Sequence, residues 1–530
     1  MIKHSADYAA AVVGDARRTF LRAEMLFISP TLEYGTPEGG FAEGYAKPSQ
    51  ISDQKFTGGD KYSTLELNRT LLDGSMKIMP DDPADIVGQV GAVSDTISGA
   101  DGVFSTAWNL TLPILGVPTL QSCTIWFAGG EINGLPVDFT VDILDASGNV
   151  GHTETFTEHR SMEAEFTGFT VYNPSGIRLN VQKWSMPHYR ARVTEVLPGL
   201  YELWDNHIFS AFSVNQQANF TNLALPYGTC TIQIDNSDKR FEPMTKDSLF
   251  ESIEARQSIN TSIGVQLDNG EIEYIPTGRY YQADGGWTTG NNSLSMQWDL
   301  MDIVGLVVDR TFVIPETLPT TLEGWIREAM SVLGEGFTNQ YIIADGYAGM
   351  AVTANTADDL AGLTSGDIIR YACMAAGCYS HADNETGKLI VEPVGDTGDT
   401  LTLGNLTAYA NIKANPNMGM LTFTLADGVG TKVVVEGDNI ASSNSQTIAS
   451  PFMHTEAQAK AAAAMILKSY GGNIFETVGR GNPASEVGDI DTIQLSPITT
   501  ARGRRMTQTL SYQNGVLAGC AAAFLQIKDE

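Results

Sequence analysis

The stretch Thr229-Cys-Thr-Ile-Gln-Ile-Asp-Asn-Ser-Asp-Lys-Arg-Phe241 decides the fold class of this chain. Its first seven residues alternate between polar and apolar side chains, which is the pattern of a strand that buries one face. The Asp and Asn residues that follow are of the type that closes turns through their own side chains. Phe241 then returns an apolar side chain to the core. The stretch therefore predicts a β domain built from short strands and tight turns.

Similar alternation extends this pattern on both sides. Residues 189–306 contain further strand-like runs and predict a barrel or a small sandwich. Residues 95–185 alternate in the same way and carry turn formers between the runs, which predicts an antiparallel β-sandwich. The runs in this second region are Cys123-Thr-Ile-Trp-Phe127, Val137-Asp-Phe-Thr-Val-Asp-Ile-Leu144 and Ile177-Arg-Leu-Asn-Val-Gln-Lys-Trp184.

A helical period of apolar residues appears in four places, at 5–27, 322–333, 365–377 and 455–470. The last of these has Glu456 in its first turn and ends at two glycines, so both of its ends are marked. Between the first helix and the sandwich, residues 29–60 are rich in Gly and Pro and predict an extended segment that wraps or links more than it packs.

The chain has 530 residues, which is too long for one hydrophobic core. The fold class that these patterns predict is mainly β with an α/β insert, with two barrel-like domains and an inserted antiparallel β-sandwich. The predicted segments are an N-terminal helix with an extended linker (1–94), the sandwich (95–188), a first barrel (189–310), a helical α/β domain (311–395) and a second barrel with one helix (396–530).

The charge balance is strongly acidic, with 62 Asp and Glu against 32 Lys and Arg and a formal net charge of -30. Proteins that hold DNA neutralise phosphates with clustered basic residues, so this balance argues against nucleic-acid binding. An acidic excess that only keeps a large protein soluble is an equal alternative. Five scattered cysteines, the lack of a signal peptide and the lack of an apolar run of membrane length predict synthesis in a cytoplasm without a membrane span.

Motifs for catalysis are missing from the sequence, which has no HExxH, GxSxG or P-loop pattern. Gly428-Val-Gly-Thr-Lys432 resembles a phosphate loop but is followed by a strand, so a hairpin turn is the better interpretation. His152, Glu154, Glu158 and His159 lie close together in sequence, yet an exposed polar strand edge explains them better than a metal site does. The sequence predicts no catalytic, cofactor-binding or metal-binding residue, no cofactor and no enzymatic activity.

Three tryptophans of the predicted sandwich, Trp108, Trp126 and Trp184, are candidates for contact with a glycan. Aromatic faces stack on sugar rings, but most tryptophans in a sandwich of this size pack in the core. Core packing is therefore the favoured alternative.

Four phrases resemble segments of tail-hub and baseplate proteins from phages and prophages of Gram-positive bacteria. They are Leu65-Glu-Leu-Asn-Arg-Thr-Leu-Leu-Asp-Gly-Ser75 with Pro80-Asp-Asp-Pro83, then Trp184-Ser-Met-Pro-His-Tyr-Arg-Ala-Arg192, then Ile232-Gln-Ile-Asp-Asn-Ser-Asp-Lys-Arg-Phe-Glu-Pro243, and last Gly481-Asn-Pro-Ala-Ser-Glu-Val-Gly-Asp489. In the last phrase, Ser485 stands where Leu is common. Ala255-Arg-Gln-Ser-Ile259 and Thr277-Gly-Arg-Tyr-Tyr281 continue the third phrase.

The resemblance implies a structural protein of the virion tail tip that forms a hub ring with copies of itself, usually a trimer. Its implied partners are the tail tube or distal tail protein, the tape measure protein and other tail-tip or receptor-binding proteins, and DNA passes through the ring without specific binding. The alternative is a receptor-binding tail protein that grips cell-wall glycan through the sandwich. A tail-associated hydrolase is the least favoured function, because hubs with such activity append a separate domain.

Overall fold

The structure is a computed structural model. It describes residues 1–14, 16–29, 31–55, 59–63, 76–80, 82, 85–129, 133–239, 241, 258–290, 294–334, 337–395, 398–437, 444–513 and 515–527. These residues form two compact units. The main unit comprises Met1–Glu24, Leu203–Glu242 and Ser258–Glu530, and the sandwich unit comprises Met25–Glu202. The chain leaves the main unit within β1 (Thr19–Ile28) and returns to it within the strand Gly199–Trp204.

The strands of the sandwich unit are β2 (Glu33–Tyr34), β3 (Glu38–Gly39), β4 (Tyr62–Ser63), β5 (Lys77–Ile78), β6 (Ala92–Val93), β7 (Val103–Leu115), β8 (Thr119–Phe127), β9 (Pro136–Leu144), β10 (Val150–Phe156), β11 (Glu163–Tyr172), β12 (Gly176–Trp184) and β13 (Arg192–Leu197). One sheet has the order β10-β9-β12-β7-β2, with β3 also on β7, and the other has the order β11-β8-β13-β6. Every pair in these two sheets is antiparallel, which confirms the predicted sandwich.

The core of the sandwich follows directly from the alternation in the sequence. In β9, Phe139, Val141 and Ile143 are fully buried, and the residues between them point to the other face. The ring of Phe139 meets Phe127 of the opposite sheet at 5.1 Å between centroids. Each such side chain contributes about 1.5–3 kcal/mol by leaving water, so the layer between the sheets holds this unit together.

The Gly- and Pro-rich segment 29–60 packs more than the sequence predicts. Its short strands β2 and β3 pair with β7 and extend the sheet. Gly39 permits this close approach, because a Cβ at that position would lie 2.5 Å from the carbonyl oxygen of Asn109. The segment is therefore part of the sandwich.

The main unit contains the remaining elements. Its helices are α1 (Ala6–Val13), α2 (Ile303–Val307), α3 (Leu322–Ser331), α4 (Ser365–Ala376) and α5 (Glu456–Lys468). Its strands, besides the first part of β1, are β14 (Gly199–Trp204, which begins in the sandwich unit), β15 (Phe209–Gln217), β16 (Thr229–Asp235), β17 (Ser258–Gln266), β18 (Ile272–Gly290), β19 (Ser295–Met301), β20 (Tyr341–Ile343), β21 (Tyr379–Ala382), β22 (Leu389–Glu392), β23 (Thr400–Leu401), β24 (Asn411–Ala414), β25 (Met420–Thr424), β26 (Lys432–Glu436), β27 (Ser445–Ala449), β28 (Asn473–Gly479), β29 (Ile490–Ser496), β30 (Thr499–Gln513), β31 (Val516–Leu517) and β32 (Cys520–Gln526).

One large sheet organises the main unit, with the order β1-β17-β18-β19-β16-β15-β30-β32-β28-β24. The strands predicted for the first and second barrels meet in it, because β15 pairs with β30 from Ala211↔Gln513 to Gln217↔Thr507. The α/β insert is also present, with α3 and α4 in one core with β21, β22 and the small sheet β26-β25-β27. The mainly β fold class with an α/β insert is thus confirmed, while the boundaries at 189–310 and 396–530 stay predictions.

The helices predicted in the second half of the chain are confirmed, and their caps explain their ends. Thr364 with Asp367 and Thr455 with Gln458 form capping boxes at the starts of α4 and α5. Gly377 ends α4 in a left-handed conformation, with φ of 72°.

The helix predicted over 5–27 is wrong beyond Val13. Residues from Thr19 onward form strand β1, in which Leu21, Ala23 and Met25 are buried at every second position. Leu21 and Met25, four residues apart, also fit a helical period, and pairing with β17 decides in favour of the strand.

Candidate functional site

Two of the three tryptophans considered for glycan contact lie in the sandwich core. Trp108 is 3% exposed and donates its indole N–H to the carbonyl oxygen of Gly40 at 2.7 Å. Trp184 is 0% exposed and donates to the carbonyl oxygen of Asn133 at 2.9 Å. A sugar cannot stack on a ring face that the protein covers, so in this structure neither residue offers a glycan contact, and both fit the core alternative.

Trp126 is half-buried at the opposite side of β8 from the core. Its ring meets Tyr201 edge-on, with 5.8 Å between centroids and an angle of 88°. Burial raises the pKa of Glu163, and a hydrogen bond with Trp126 acts in the opposite direction. Contact of Trp126 with a glycan stays a prediction.

The possible metal ligands among residues 152–159 have different contacts. His152 lies 3.3 Å from Glu154 (Nε2 to Oε2) and stacks on Phe169 at 4.6 Å. His159 meets Phe139 edge-on at 5.2 Å and has its Nε2 3.1 Å from the carbonyl oxygen of Glu163. In the part of the chain that the structure describes, no group of three or more His, Cys, Asp or Glu residues is placed to hold a metal ion.

The turn after β16 has the predicted Asx geometry. Ser237 donates its N–H to Asp235 Oδ1 at 2.9 Å, and Phe241 donates its N–H to Asn236 Oδ1 at 3.0 Å. Phe241 is 4% exposed and lies edge-on to Trp204 and Trp298, with centroids at 5.5 and 5.3 Å. The turn therefore returns the chain to the core, as the sequence predicts.

The glycine loop at 428–432 is the turn of the β25–β26 hairpin, as predicted. Asp427 Oδ1 accepts the N–H groups of Val429 at 2.9 Å and Gly430 at 2.7 Å. Because the carboxylate already uses the amides that would cradle a phosphate, the hairpin interpretation accounts for the loop.

The turn 481–489 is fastened to β30 by a buried ion pair. Arg505, 3% exposed, donates to Asp491 Oδ2 from Nε at 3.0 Å and from Nη2 at 2.6 Å. It also binds the side chain of Gln508, which donates to the carbonyl oxygen of Ser485 at 3.1 Å. Burial raises the pKa of the Asp491 carboxyl, and the charge of Arg505 opposes this rise. These contacts hold the turn at one register.

A second ion pair, between buried His381 and half-buried Glu392, lies between β21 and β22. His381, 6% exposed, has its Nε2 3.3 Å from Glu392 Oε1, and Tyr379 donates its hydroxyl to the same oxygen at 2.9 Å. Burial lowers the pKa of His381, but the hydrogen bond and charge of Glu392 outweigh burial, so the net pKa is raised. The carboxylate orients both rings and ties the two strands together.

The large sheet ends in an exposed edge strand. All four residues of β24 are exposed, and Ile412 is 53% exposed. Nearby, Tyr409 and Val478 are 65% and 45% exposed. Among the described residues, β28 is the only strand that pairs with β24, so its other side presents unpaired backbone groups. No helix in the described chain is both long and apolar enough to cross a membrane.

Comparison with known proteins gives structural similarity only, since no family model and no curated protein matches this chain. The 43 kDa tail protein of prophage MuSo2 from Shewanella oneidensis is similar to 61% of this chain over 95% of its own, with 13% identity and a TM-score of 0.39. A tail protein from Neisseria meningitidis is similar to 61% of this chain over 93% of its own, with 12% identity and a TM-score of 0.40.

A prophage tail protein from Listeria monocytogenes is similar to 74% of this chain over 95% of its own, with 8% identity and a TM-score of 0.38. These three solved structures are phage or prophage tail proteins. With TM-scores below 0.5, they do not assign this chain to a family.

Proposed function

We propose that this chain is a structural subunit of the tail tip of a phage or prophage, where it forms a homotrimeric hub ring and is not an enzyme. The ring joins the tail tube or distal tail protein, and the tape measure protein, to other tip and receptor-binding proteins. It lets DNA pass without binding it specifically.

The observation that carries this proposal is the placement of the third and fourth hub-like phrases. The 232–241 phrase ends β16, and the 481–489 turn is held on β30 by Arg505. Only β15 lies between these strands in the large sheet. The residues that resemble a hub are thus the residues that fix the register of this sheet. Residues 65–75, which carry the first phrase, and residues 240, 242 and 243 of the third lie outside the described residues.

The edge strand β24 supports assembly with copies of the same chain. An edge presents unpaired N–H and C=O groups in a row, and a second chain can pair with them. Lys413 and Glu476 lie 2.5 Å apart across β24 and β28, so the one basic residue of the edge is already engaged. Ile412 remains as an exposed apolar contact.

The net charge of -30 supports free passage of DNA. Like charges repel, and at physiological salt this repulsion acts over about 8 Å. In a narrow channel lined by acidic residues, the DNA lies within that distance of the wall. The repulsion then keeps the duplex from adhering to the wall.

The test is the mass of the full chain in solution. Native mass spectrometry and light scattering are expected to give three copies of the 57.0 kDa subunit. Ile412→Lys is expected to shift the population toward monomer, because it places a charge on the edge. Ile498→Lys, at a residue 95% exposed in the β29–β30 turn, is the matched control and is expected to leave the trimer intact.

A chain that stays monomeric at every concentration, and that appears as single copies in images of assembled tails, would falsify the hub proposal. If the chain is a trimer and Ile412→Lys does not change its mass in solution, the hub proposal stands but β24 is not the interface.

A further inference from the structure

A pocket in the sandwich unit has an aromatic and basic lining. It encloses about 510 Å³, part of which is open to solvent. Its lining includes Tyr45, Tyr62, Asn133, Tyr189, Arg190 and Arg192. A tyrosine combines an apolar face with a hydroxyl, and ligand sites typically combine apolar walls with a few convergent polar groups. The pocket therefore has the composition of a binding site for a polar ring.

Arg192 is a buried cation in the wall of this pocket, 8% exposed. Its guanidinium donates to the carbonyl oxygens of Val90 at 2.7 Å, Asp60 at 2.9 Å and Gln89 at 3.0 Å, and to Asn133 Oδ1 at 3.0 Å. These four bonds use four of its five N–H groups. Within the described residues, none of its hydrogen bonds goes to a carboxylate.

Asp60, the described acid whose charge acts on Arg192, is committed elsewhere. Its carboxylate accepts the N–H of Gln89 at 2.8 Å and lies 3.2 Å from Lys77 Nζ. Asp60 still acts on Arg192 through its charge at longer range. A buried guanidinium without a carboxylate in contact is costly, and an anion that enters the pocket offsets that cost.

Arg190 adds a second positive charge at the same opening. Residues two apart on an extended chain project to the same side, so Arg190 and Arg192 share a face while Ala191 is buried. The guanidinium of Arg190 lies over the ring of Tyr45, 5.7 Å from its centroid, and donates to the carbonyl oxygen of Ser94 at 2.6 Å. Arg190 is half-buried and so is accessible from the pocket.

We infer that this pocket binds an anionic saccharide, a sugar ring that carries a carboxylate or a phosphate. The ring lies against Tyr45 and Tyr189, and the acid group lies toward Arg190 and Arg192. Arg192 has one N–H left for a hydrogen bond to either acid, and the charges of both guanidinium groups attract it. This inference goes beyond the structural role proposed above and does not depend on assembly.

The test uses the full chain and three small probes: glucuronate, glucose 1-phosphate and glucose. Isothermal titration calorimetry is expected to show saturable binding of at least one acid, at least about tenfold tighter than glucose, because charge-assisted bonds to arginine are lost with the neutral sugar. Comparison of the two acids identifies whether the carboxylate or the phosphate is preferred. Equal affinity for all three probes, or no binding of either acid, overturns the inference.

Variants locate the binding in this pocket. Arg190→Gln is expected to weaken binding of the acid by about ten- to a hundredfold, and Tyr45→Ala is expected to weaken both the acid and the neutral sugar. The matched controls are Arg178→Gln, in β12 and 3.9 Å from Asp142, and Tyr172→Ala, at a residue 70% exposed in β11, and both are expected to bind normally.

Circular dichroism and thermal melting check that each variant folds. If Arg190→Gln does not fold, Tyr45→Ala decides the question. Normal acid binding by the folded pocket variants places the ligand elsewhere and rejects the site.

Discussion

Two buried arginines, one in each unit, are held in opposite ways. Arg505 in the main unit is 3% exposed and donates two hydrogen bonds to the Asp491 carboxylate. Arg192 in the sandwich unit is 8% exposed and is bound by carbonyl oxygens. The first charge is neutralised inside the fold. The second is hydrogen-bonded, among the described residues, to carbonyl and amide oxygens, and the charge of Asp60 acts on it only at longer range.

This difference distinguishes an arginine that stabilises the fold, Arg505, from an arginine that can attract a ligand, Arg192. A closed ion pair such as Arg505–Asp491 fixes the geometry of the turn and β30 but attracts no further anion. Burial lowers the pKa of Arg192 to about 10, which measures how poorly carbonyl oxygens replace water around it. A cation in that state gains more from an incoming anion than one that is already paired.

Arg505→Met is expected to have the largest effect on stability. It leaves Asp491, which is 0% exposed, without its cation, and such a loss costs about 3–5 kcal/mol. The double variant Arg505→Met/Asp491→Leu is expected to recover much of that loss, because it removes both charges. Urea denaturation of the full chain measures both. A single variant as stable as the wild type would show that the pair does not hold the turn.

Arg192→Met is expected to cost less, about 1–3 kcal/mol, because it leaves carbonyl acceptors unsatisfied but strands no carboxylate. It is also expected to abolish binding of the acidic sugar. Thermal melting with and without the preferred acid measures the two effects together. If Arg192→Met lowers the free energy of unfolding as much as Arg505→Met does, the two arginines do not differ in how they stabilise the fold.

Glu195→Gln is expected to give the smallest change near pH 4, and one that grows as the pH rises. Glu195 is fully buried on β13 and accepts the N–H of Lys55 at 2.9 Å, and burial raises its pKa from 4.5 to about 9. The folded state keeps the proton while the unfolded state loses it above pH 4.5, so stability falls as pH rises from 4.5 toward 9.

Gln cannot ionise, so the variant is expected to gain stability over the wild type by up to about 1.4 kcal/mol for each pH unit between pH 4.5 and pH 8, and to show no gain near pH 4. Melting temperatures across this range test the sign. A gain that is the same at both pH values would mean that ionisation of Glu195 is not its cause.

Features that depend on contacts between residues close in sequence could be predicted from the sequence. The turn after Asp235 could be predicted because its Asp and Asn side chains bind amides only a few residues away. The caps at Thr364 and Thr455 are equally local. The N-terminal strand was missed because Leu21 and Met25, four residues apart, fit both periods, and only pairing with a distant strand decides between them.

Whether a residue can contact a ligand depends on its burial, and burial cannot be read from the sequence alone. Trp108, Trp126 and Trp184 sit in similar alternating runs, yet the structure buries two of them and leaves one half-exposed. The run Tyr189-Arg-Ala-Arg192 belongs to a phrase that resembles tail-hub proteins, and the sequence alone gives it no binding role. Its spacing of two arginines was the available signal for the pocket, but Tyr45 and Tyr62 join it only through the tertiary fold.

The pairing of Ala211 in β15 with Gln513 in β30 also constrains when this protein folds. Contacts between residues so far apart in sequence form slowly, because a long loop must close first. During translation, β15 leaves the ribosome long before its partner strand exists. The central sheet therefore completes only after synthesis of β30, and a chain terminated before β30 leaves one side of β15 without its partner strand.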